Sequence, residues 1–140
     1  MRTSDRYEIE ICLAEIRGRM PDVVWAWDEG KQLVVARLSA RQARRCGKIL
    51  GSLFLDRFGM RQLKKSPDPV RAIVEAYGGL RASQRVWIAD VRRECGVFVF
   101  WWPWNDGENV SLRIGLYSRG ATRVEDREIL SSMRGIFAVH

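Results

Sequence analysis

The chain has 140 residues, of which 46% are hydrophobic and 29% are charged. This balance is typical of a globular domain and excludes a disordered segment. No apolar run approaches the roughly 20 residues that span a bilayer, so we expect no membrane partner. The first ten residues are polar and do not resemble a secretory signal. We therefore predict a single domain over residues 1–140, located in the cytoplasm.

The cysteines and the single histidine argue against a metal site. Cys12, Cys46 and Cys95 are scattered along the chain, and the only histidine is His140. A structural zinc site needs about four ligands at paired spacing, and that pattern is missing. We expect reduced thiols packed as small apolar groups, with no metal and no cofactor.

The charge points to an anionic partner. The net charge is +7, and only four of the 24 basic residues are lysine. Arginine offers a planar fork to phosphate and stacks on aromatic rings. The charge therefore predicts an anionic partner, namely nucleic acid, an anionic membrane or an acidic protein. Of these we expect nucleic acid, with RNA favoured over DNA, or an acidic protein.

The first half of the chain alternates between helical and extended patterns. Asp5 and Glu8 have the spacing of a capping box and predict a first helix that ends near Gly18. Residues 23–27 and 33–38 indicate two strands joined by a hairpin turn. Ser39 and Gln42 form a second capping box, and the apolar stripe that follows predicts a helix as far as residue 58.

The second half begins with a helix and continues with three strands. Asp68 followed by proline predicts a helix start, and the glycines at 78 and 79 end that helix. Residues 85–93, 97–104 and 109–118 indicate a three-strand meander, and residues 122–134 indicate a final helix. The order α-β-β-α-α-β-β-β-α predicts an α+β fold, in which helices cover one face of an antiparallel sheet made of a hairpin plus a three-strand meander. The strand at 97–104 is apolar on both faces, which places it mid-sheet.

Alternation in the last strand separates two sets of side chains. Leucines and isoleucines alternate with Ser111, Arg113, Gly115 and Tyr117, so these four residues share the opposite face. A concave sheet face that carries arginine and tyrosine suits a nucleotide strand, with guanidinium on phosphate and the aromatic ring on a base. Glycine at 115 leaves backbone open on that face.

Residues from about 84 to 134 resemble the C-terminal half of the RelE/HigB-like toxin superfamily. The segments that carry the resemblance are VWIADVRREC, GVFVFWWPW, NDGENVSLRIGLYS, RGATRVE and DREILSSMRG. The resemblance implies a small, metal-independent ribonuclease that cuts messenger RNA and is silenced by an antitoxin. It also implies catalytic roles for Arg92, Arg113 and Arg119, and phosphate-binding roles for Arg93 and Arg123.

A second basic cluster lies at the start of the second predicted helix. Its members are Arg41, Arg44, Arg45 and Lys48, and we expect them to contact nucleic acid or an acidic partner. The segment RRCGKILG also resembles the pyrophosphate loop of GNAT acyltransferases, but Ile49 stands in place of that family's second glycine. An acyltransferase is therefore a third hypothesis.

The Trp-rich hairpin supports a rival, non-enzymatic function. Trp101, Trp102 and Trp104 lie in eight consecutive apolar residues, and exposed tryptophan beside arginine is typical of protein interfaces. Adjacent Trp101 and Trp102 must face opposite sides of a strand. These residues predict a docking surface for an adaptor, inhibitor, immunity-type protein or chaperone. A homodimer through the hairpin also stays open.

Overall fold

A computed structural model describes residues 1–119 and 124–140 and shows an α+β fold built on one six-stranded antiparallel sheet. The helices are α1 (Thr3–Arg19), α2 (Ala40–Leu53), α3 (Asp68–Ala76) and α4 (Arg127–Phe137), with a short 3-10 turn at Leu63–Lys65. The strands are β1 (Ala26–Asp28), β2 (Leu33–Leu38), β3 (Asp56–Gly59), β4 (Arg85–Ile88), β5 (Cys95–Pro103) and β6 (Val110–Ser118). The predicted α+β class is confirmed.

The strand order across the sheet is β1-β2-β6-β5-β4-β3. The N-terminal hairpin joins the meander through β2, which pairs antiparallel with β6. Strand β5 lies between β6 and β4, and its residues 95–100 are all buried. The interior position predicted for this strand is confirmed, since a strand that is apolar on both faces needs a layer on each side.

Helices pack on both faces of the sheet. The larger core joins α1, α2 and α4 to one face, through residues such as Leu13, Leu50, Met133 and Leu112. On the other face, three residues of α3, namely Val70, Ile73 and Val74, join Phe98, Phe100 and Tyr117 in a smaller core. We expected helices on one face, and the structure adds α3 as a layer on the second.

One strand was missed because its residues also fit a helix. The capping box of Ser39 and Gln42 is present, but α2 ends at Leu53 and Phe54 is already extended. Residues Asp56–Gly59 instead form β3, in which Phe58 lies opposite Val86 of β4. Phenylalanines at 54 and 58 satisfy a helical stripe, and only the pairing with β4 selects the extended form.

The strand predicted at 85–93 is shorter in the structure and ends at Ile88. Asp90 accepts a hydrogen bond from the backbone N–H of Arg92 at 2.9 Å, which turns the chain away from the sheet. This N–H bond, followed by the Arg92 side chain, lowers the pKa of the Asp90 carboxyl. Among the described residues, no helix combines the length and apolar character needed to cross a membrane.

Candidate functional site

Part of the sheet face that carries α3 is left uncovered by that helix. We define the Arg–Trp platform as Arg37, Trp102, Trp104, Ser111 and Arg113; Arg37 and Trp104 are exposed and the other three are partly buried. Register explains the grouping, because Arg37 of β2 lies opposite Ser111 of β6, and Ser111 lies opposite Trp102 of β5. Trp104 follows two residues after Trp102 and continues the same face.

Arg113 is held in place by two platform neighbours. Its guanidinium carbon lies 4.3 Å from the centre of the Trp102 ring. Its Nε donates a hydrogen bond to the Ser111 hydroxyl oxygen at 3.3 Å. Within the described part of the chain, its two terminal nitrogens have no hydrogen-bond partner. The Arg113 side chain is therefore held in one orientation, while the N–H groups of its two terminal nitrogens stay available to bind an anion.

Trp104 is the exposed aromatic group of the platform. Its side chain is 45% exposed, and the guanidinium carbon of Arg37 lies 5.9 Å from its ring centre. Its backbone N–H donates to the carbonyl oxygen of Asn109 at 2.9 Å, which fixes the position of Trp104 at the hairpin end. Trp102 is different, because Phe100 stacks on it at 5.1 Å and Arg113 covers it as well. Trp104 therefore offers the ring surface, and Trp102 supports Arg113.

Trp101 does not belong to this surface. It faces the side of α1, α2 and α4, where its ring meets Trp87 edge-on at 5.6 Å. A side-chain carbon added at Gly47 of α2 would lie 3.4 Å from the Trp101 ring. The opposite orientation predicted for Trp101 and Trp102 is therefore confirmed, and the three tryptophans do not share one surface.

Tyr117 is buried, which corrects its predicted role as a stacking residue. It is 4% exposed beneath the layer of α3, and its hydroxyl donates to the backbone carbonyl of Asp90. Burial raises the pKa of Tyr117 to about 12. The backbone predicted to be open at Gly115 is also covered, because the Phe98 ring fills that position. The phenol ring is therefore unavailable to a base.

The three predicted catalytic arginines do not share one site. Arg113 lies mid-strand on the platform, whereas Arg119 follows the far end of β6, roughly 20 Å along the chain. Arg119 donates to the carbonyl oxygen of Val91 at 2.7 Å, and Arg92 pairs with Asp90 at 3.2 Å. Arg92 and Arg119 thus lie at the end of the sheet opposite the exposed Trp104. The three arginines are therefore too far apart to act on one reacting group.

Arg93 contacts a carboxylate of the protein itself, whereas a phosphate-binding role was predicted. It donates to the Asp5 carboxylate at 3.3 Å, and Asp5 is only 8% exposed. Asp5 lies inside α1, which begins at Thr3, so Asp5 does not cap the helix as predicted. Arg93 therefore neutralises a buried carboxylate and ties α1 to the β4–β5 loop. Arg123 lies outside the described residues.

The basic cluster of α2 forms a separate surface. Arg41, Arg44 and Lys48 are exposed and make no hydrogen bond or ion pair with any described residue. Arg45 pairs with Asp22, and this hydrogen bond lowers the pKa of the Asp22 carboxyl. Because α2 packs on the sheet face opposite the platform, the two basic regions do not form one contact.

Arg37 is the platform residue that sequence reasoning missed. The sequence places it in a hairpin strand, and only the pairing of β2 with β6 brings it beside Arg113. The three cysteines are free, and no group of three or more potential metal ligands occurs in residues 1–119 and 124–140. No family model matches the chain, and no curated protein or solved structure matches it.

Proposed function

We propose that this protein binds single-stranded nucleic acid on the Arg–Trp platform, with RNA as the expected form. The observation that carries the proposal is Arg113, which is oriented by Trp102 and Ser111 while its terminal nitrogens stay unpaired among the described residues. Guanidinium groups with a free fork bind phosphate oxygens in a bidentate manner. An exposed ring lies beside this fork, and that pairing is common in single-strand binding surfaces.

Each platform residue has a distinct role in this proposal. Arg37 and Arg113 are diagonal neighbours on β2 and β6, about 7–8 Å apart at their backbones, and they bind backbone phosphates. Trp104 stacks on a base, since its ring is exposed and Arg37 approaches it only at 5.9 Å. The Trp102 ring packs against the Arg113 guanidinium and Phe100, so it is not available to stack on a base. A sheet face with these groups suits unpaired bases better than a duplex.

The surrounding charges limit the path of the strand. The hairpin turn after Trp104 carries Asp106 and Glu108, so we expect the phosphates to run toward β2 and away from this turn. Asp106 is occupied within the turn, where it accepts hydrogen bonds from Asn109 and from the N–H of Glu108. The net charge of +7 adds long-range attraction that depends on salt.

Cleavage of the bound strand is a separate prediction. The RelE/HigB-like resemblance implies catalytic arginines, and Arg92 and Arg119 lie far from Arg113 along the sheet. We therefore restrict the proposal to binding. Cleavage of messenger RNA on translating ribosomes tests the resemblance directly.

Binding to a fluorescently labelled oligonucleotide across a salt series tests the proposal. The probes are single strands of about 12 nucleotides, as RNA and as DNA, with the matching duplexes for comparison. We expect Arg113→Gln to weaken binding about tenfold and to reduce the slope of log affinity against log salt by about 0.7, the value of one phosphate contact. Arg127→Gln removes the same charge from the exposed start of α4 and is the matched control.

Equal slopes and affinities in Arg113→Gln and Arg127→Gln would contradict the platform as the binding site. Absence of binding at low salt would contradict the nucleic-acid proposal as a whole. Tighter binding to duplex than to single strand would also contradict it, since a duplex offers no unstacked base to Trp104.

A second candidate function is docking of a protein partner on the hairpin. The observation in its favour is the exposure of Trp104 at the end of the β5–β6 hairpin, beside Arg37. Tryptophan and arginine are the residues that most often dominate binding energy at protein interfaces. Under this alternative the expected partner is an acidic protein.

A further inference from the structure

A cavity of about 320 Å³ lies at the edge of the sheet, where β3 ends and β4 begins. Three arginines line it, namely Arg57 of β3, Arg61 of the following turn and Arg85 of β4. Its volume is at the lower end of the range for small-ligand sites. The cavity is separate from the Arg–Trp platform, since Arg57 and Arg85 lie on the sheet face of Trp87 and the platform lies on the other.

The strand register brings like charges together here. Arg57 lies opposite Trp87, and Arg85 lies two residues before Trp87, so the two arginines are diagonal neighbours on one face. Gly59 lies directly opposite Arg85 and adds no side chain between them. No carboxylate lines the cavity, and none of the three arginines has an ion pair with any described residue. A bound anion would be attracted by all three positive charges.

Two turns with the same hydrogen-bond pattern form the cavity walls. In the first, the Gln62 side-chain oxygen accepts from the N–H of Gly59 at 2.9 Å, and the N–H of Gln62 donates to the Gly59 carbonyl. In the second, the Gln84 side-chain oxygen accepts from the N–H of Arg81 at 2.8 Å, and the N–H of Gln84 donates to the Arg81 carbonyl. The walls are therefore fixed without help from a ligand.

These turns also leave the cavity with donors. The side-chain oxygens of Gln62 and Gln84 are occupied, while their Nε2 groups have no partner within the described part of the chain. Three arginines and two glutamines thus line the cavity, and the guanidinium groups and free Nε2 groups of these side chains are all donors. A lining of this kind suits a multiply charged oxyanion and disfavours a cation or a neutral apolar ligand.

We propose that this cavity binds a phosphate group, either free or in a small ester, or as the terminal phosphate of a nucleic-acid strand. The planar guanidinium group of arginine matches the geometry of phosphate oxygens and binds them in a bidentate manner. The proposal does not depend on the platform, because different residues on another sheet face carry it.

Titration of the protein with inorganic phosphate, followed by amide chemical shifts and by calorimetry, tests the site. We expect saturable binding by the natural chain and by Arg127→Gln. We expect an affinity about 10- to 100-fold lower in Arg57→Gln and in Arg85→Gln, as for loss of a charged hydrogen bond. Arg61→Gln, in an exposed turn, is a third variant that keeps the test decisive if a strand variant does not fold.

Two oligonucleotides distinguish the sources of the phosphate. They share one sequence, and one carries a 5′-phosphate where the other carries a 5′-hydroxyl. Tighter binding of the phosphorylated strand, with the gain lost in Arg85→Gln and retained in Arg113→Gln, supports the site and identifies a strand end as its ligand. Equal binding of the two strands, together with saturable inorganic phosphate, supports the site and identifies a small phosphate. Absence of saturable phosphate binding, or equal binding by all variants, would overturn the proposal.

Discussion

Phe98 of β5 occupies the space that Gly115 of β6 leaves beside it. The two residues lie directly opposite each other in the sheet. A side-chain carbon added at Gly115 would lie 2.4 Å from the Phe98 ring and 2.5 Å from a methyl group of Leu33. Tyr117 and Gly96 form a second pair of the same kind two residues along the register, with the phenol over the glycine. Both glycines therefore serve close packing beneath α3.

The first prediction follows from that pair. Gly115→Ala should lower the free energy of unfolding by about 1–3 kcal/mol, because the ring of Phe98 has to move within a closed core. Gly51→Ala, in the exposed part of α2 with no atom within 4 Å, should leave stability unchanged or raise it by about 0.5–1 kcal/mol. Urea denaturation of both variants measures the difference. Equal stability of the two would contradict the packing role.

The second prediction separates the two candidate functions at Trp104. Trp104→Ala should lower the affinity for a single strand by about 1–3 kcal/mol and leave the salt slope unchanged, because it removes stacking and no phosphate contact. Arg37→Gln should instead reduce the slope. Anisotropy at several salt concentrations measures both quantities. Trp104→Ala with unaltered nucleic-acid affinity, together with loss of a co-purifying acidic protein, would favour the docking function.

The third prediction concerns the arginines that the family resemblance groups together. Arg92→Gln should leave strand binding on the platform within about twofold of the natural chain, since Arg92 lies at the far end of the sheet and pairs with Asp90. Arg113→Gln should weaken binding about tenfold. The same oligonucleotide assay compares these two variants of equal charge. An equal loss in both would instead indicate that the strand runs the full length of β6.

The fourth prediction is a dependence of stability on alkaline pH. Burial holds the pKa of Tyr117 at about 12, above its ordinary value of 10.0. The unfolded chain therefore loses this proton first, and the free energy of unfolding should fall as the pH rises from 10 through about 12. Tyr117→Phe should remove part of that fall. At neutral pH this variant should be about 1 kcal/mol less stable, because the Asp90 carbonyl loses its donor.

Urea denaturation at a series of pH values measures this effect as the difference between the two proteins. Cys12 releases its proton in the same region, since burial raises its pKa to about 12, and it contributes equally to both proteins. Identical pH profiles for the natural chain and Tyr117→Phe would contradict the assigned burial.

The fifth prediction is low reactivity of the thiols. Burial raises the pKa of Cys12 from 9.0 to about 12, which lowers its thiolate fraction at neutral pH about 1,000-fold. Cys46 and Cys95 are buried. Alkylation by iodoacetamide should therefore be slow in the folded protein and fast at all three sites in urea. Rapid labelling of Cys12 in the folded protein would contradict this expectation.

The elements predicted correctly are those with one strong local signal. The capping box of Ser39 and Gln42, the Asp68-Pro69 start of α3 and the apolar strand β5 each satisfy a single pattern. Strand β3 was missed because Phe58 fits the apolar pattern of a helix as well as that of a strand. Pairing with β4 selects the strand. The first helix begins at Thr3, before its predicted cap, and the Asp5 carboxylate pairs with Arg93, far away in the chain.

The candidate site divides in the same way. Alternation along β6 follows from the order of amino acids alone, and it correctly places Arg113 and Tyr117 on the face opposite Leu112. That order does not say which part of the face a helix covers. Tyr117 is buried in the core that also contains α3, whereas Arg113 is only partly buried. The pairing of β2 with β6 brings Arg37 to the platform. The alternation of side chains along a strand is a local property of the sequence. Which strands pair, and which part of a sheet face a helix covers, depend on contacts between segments far apart in the chain.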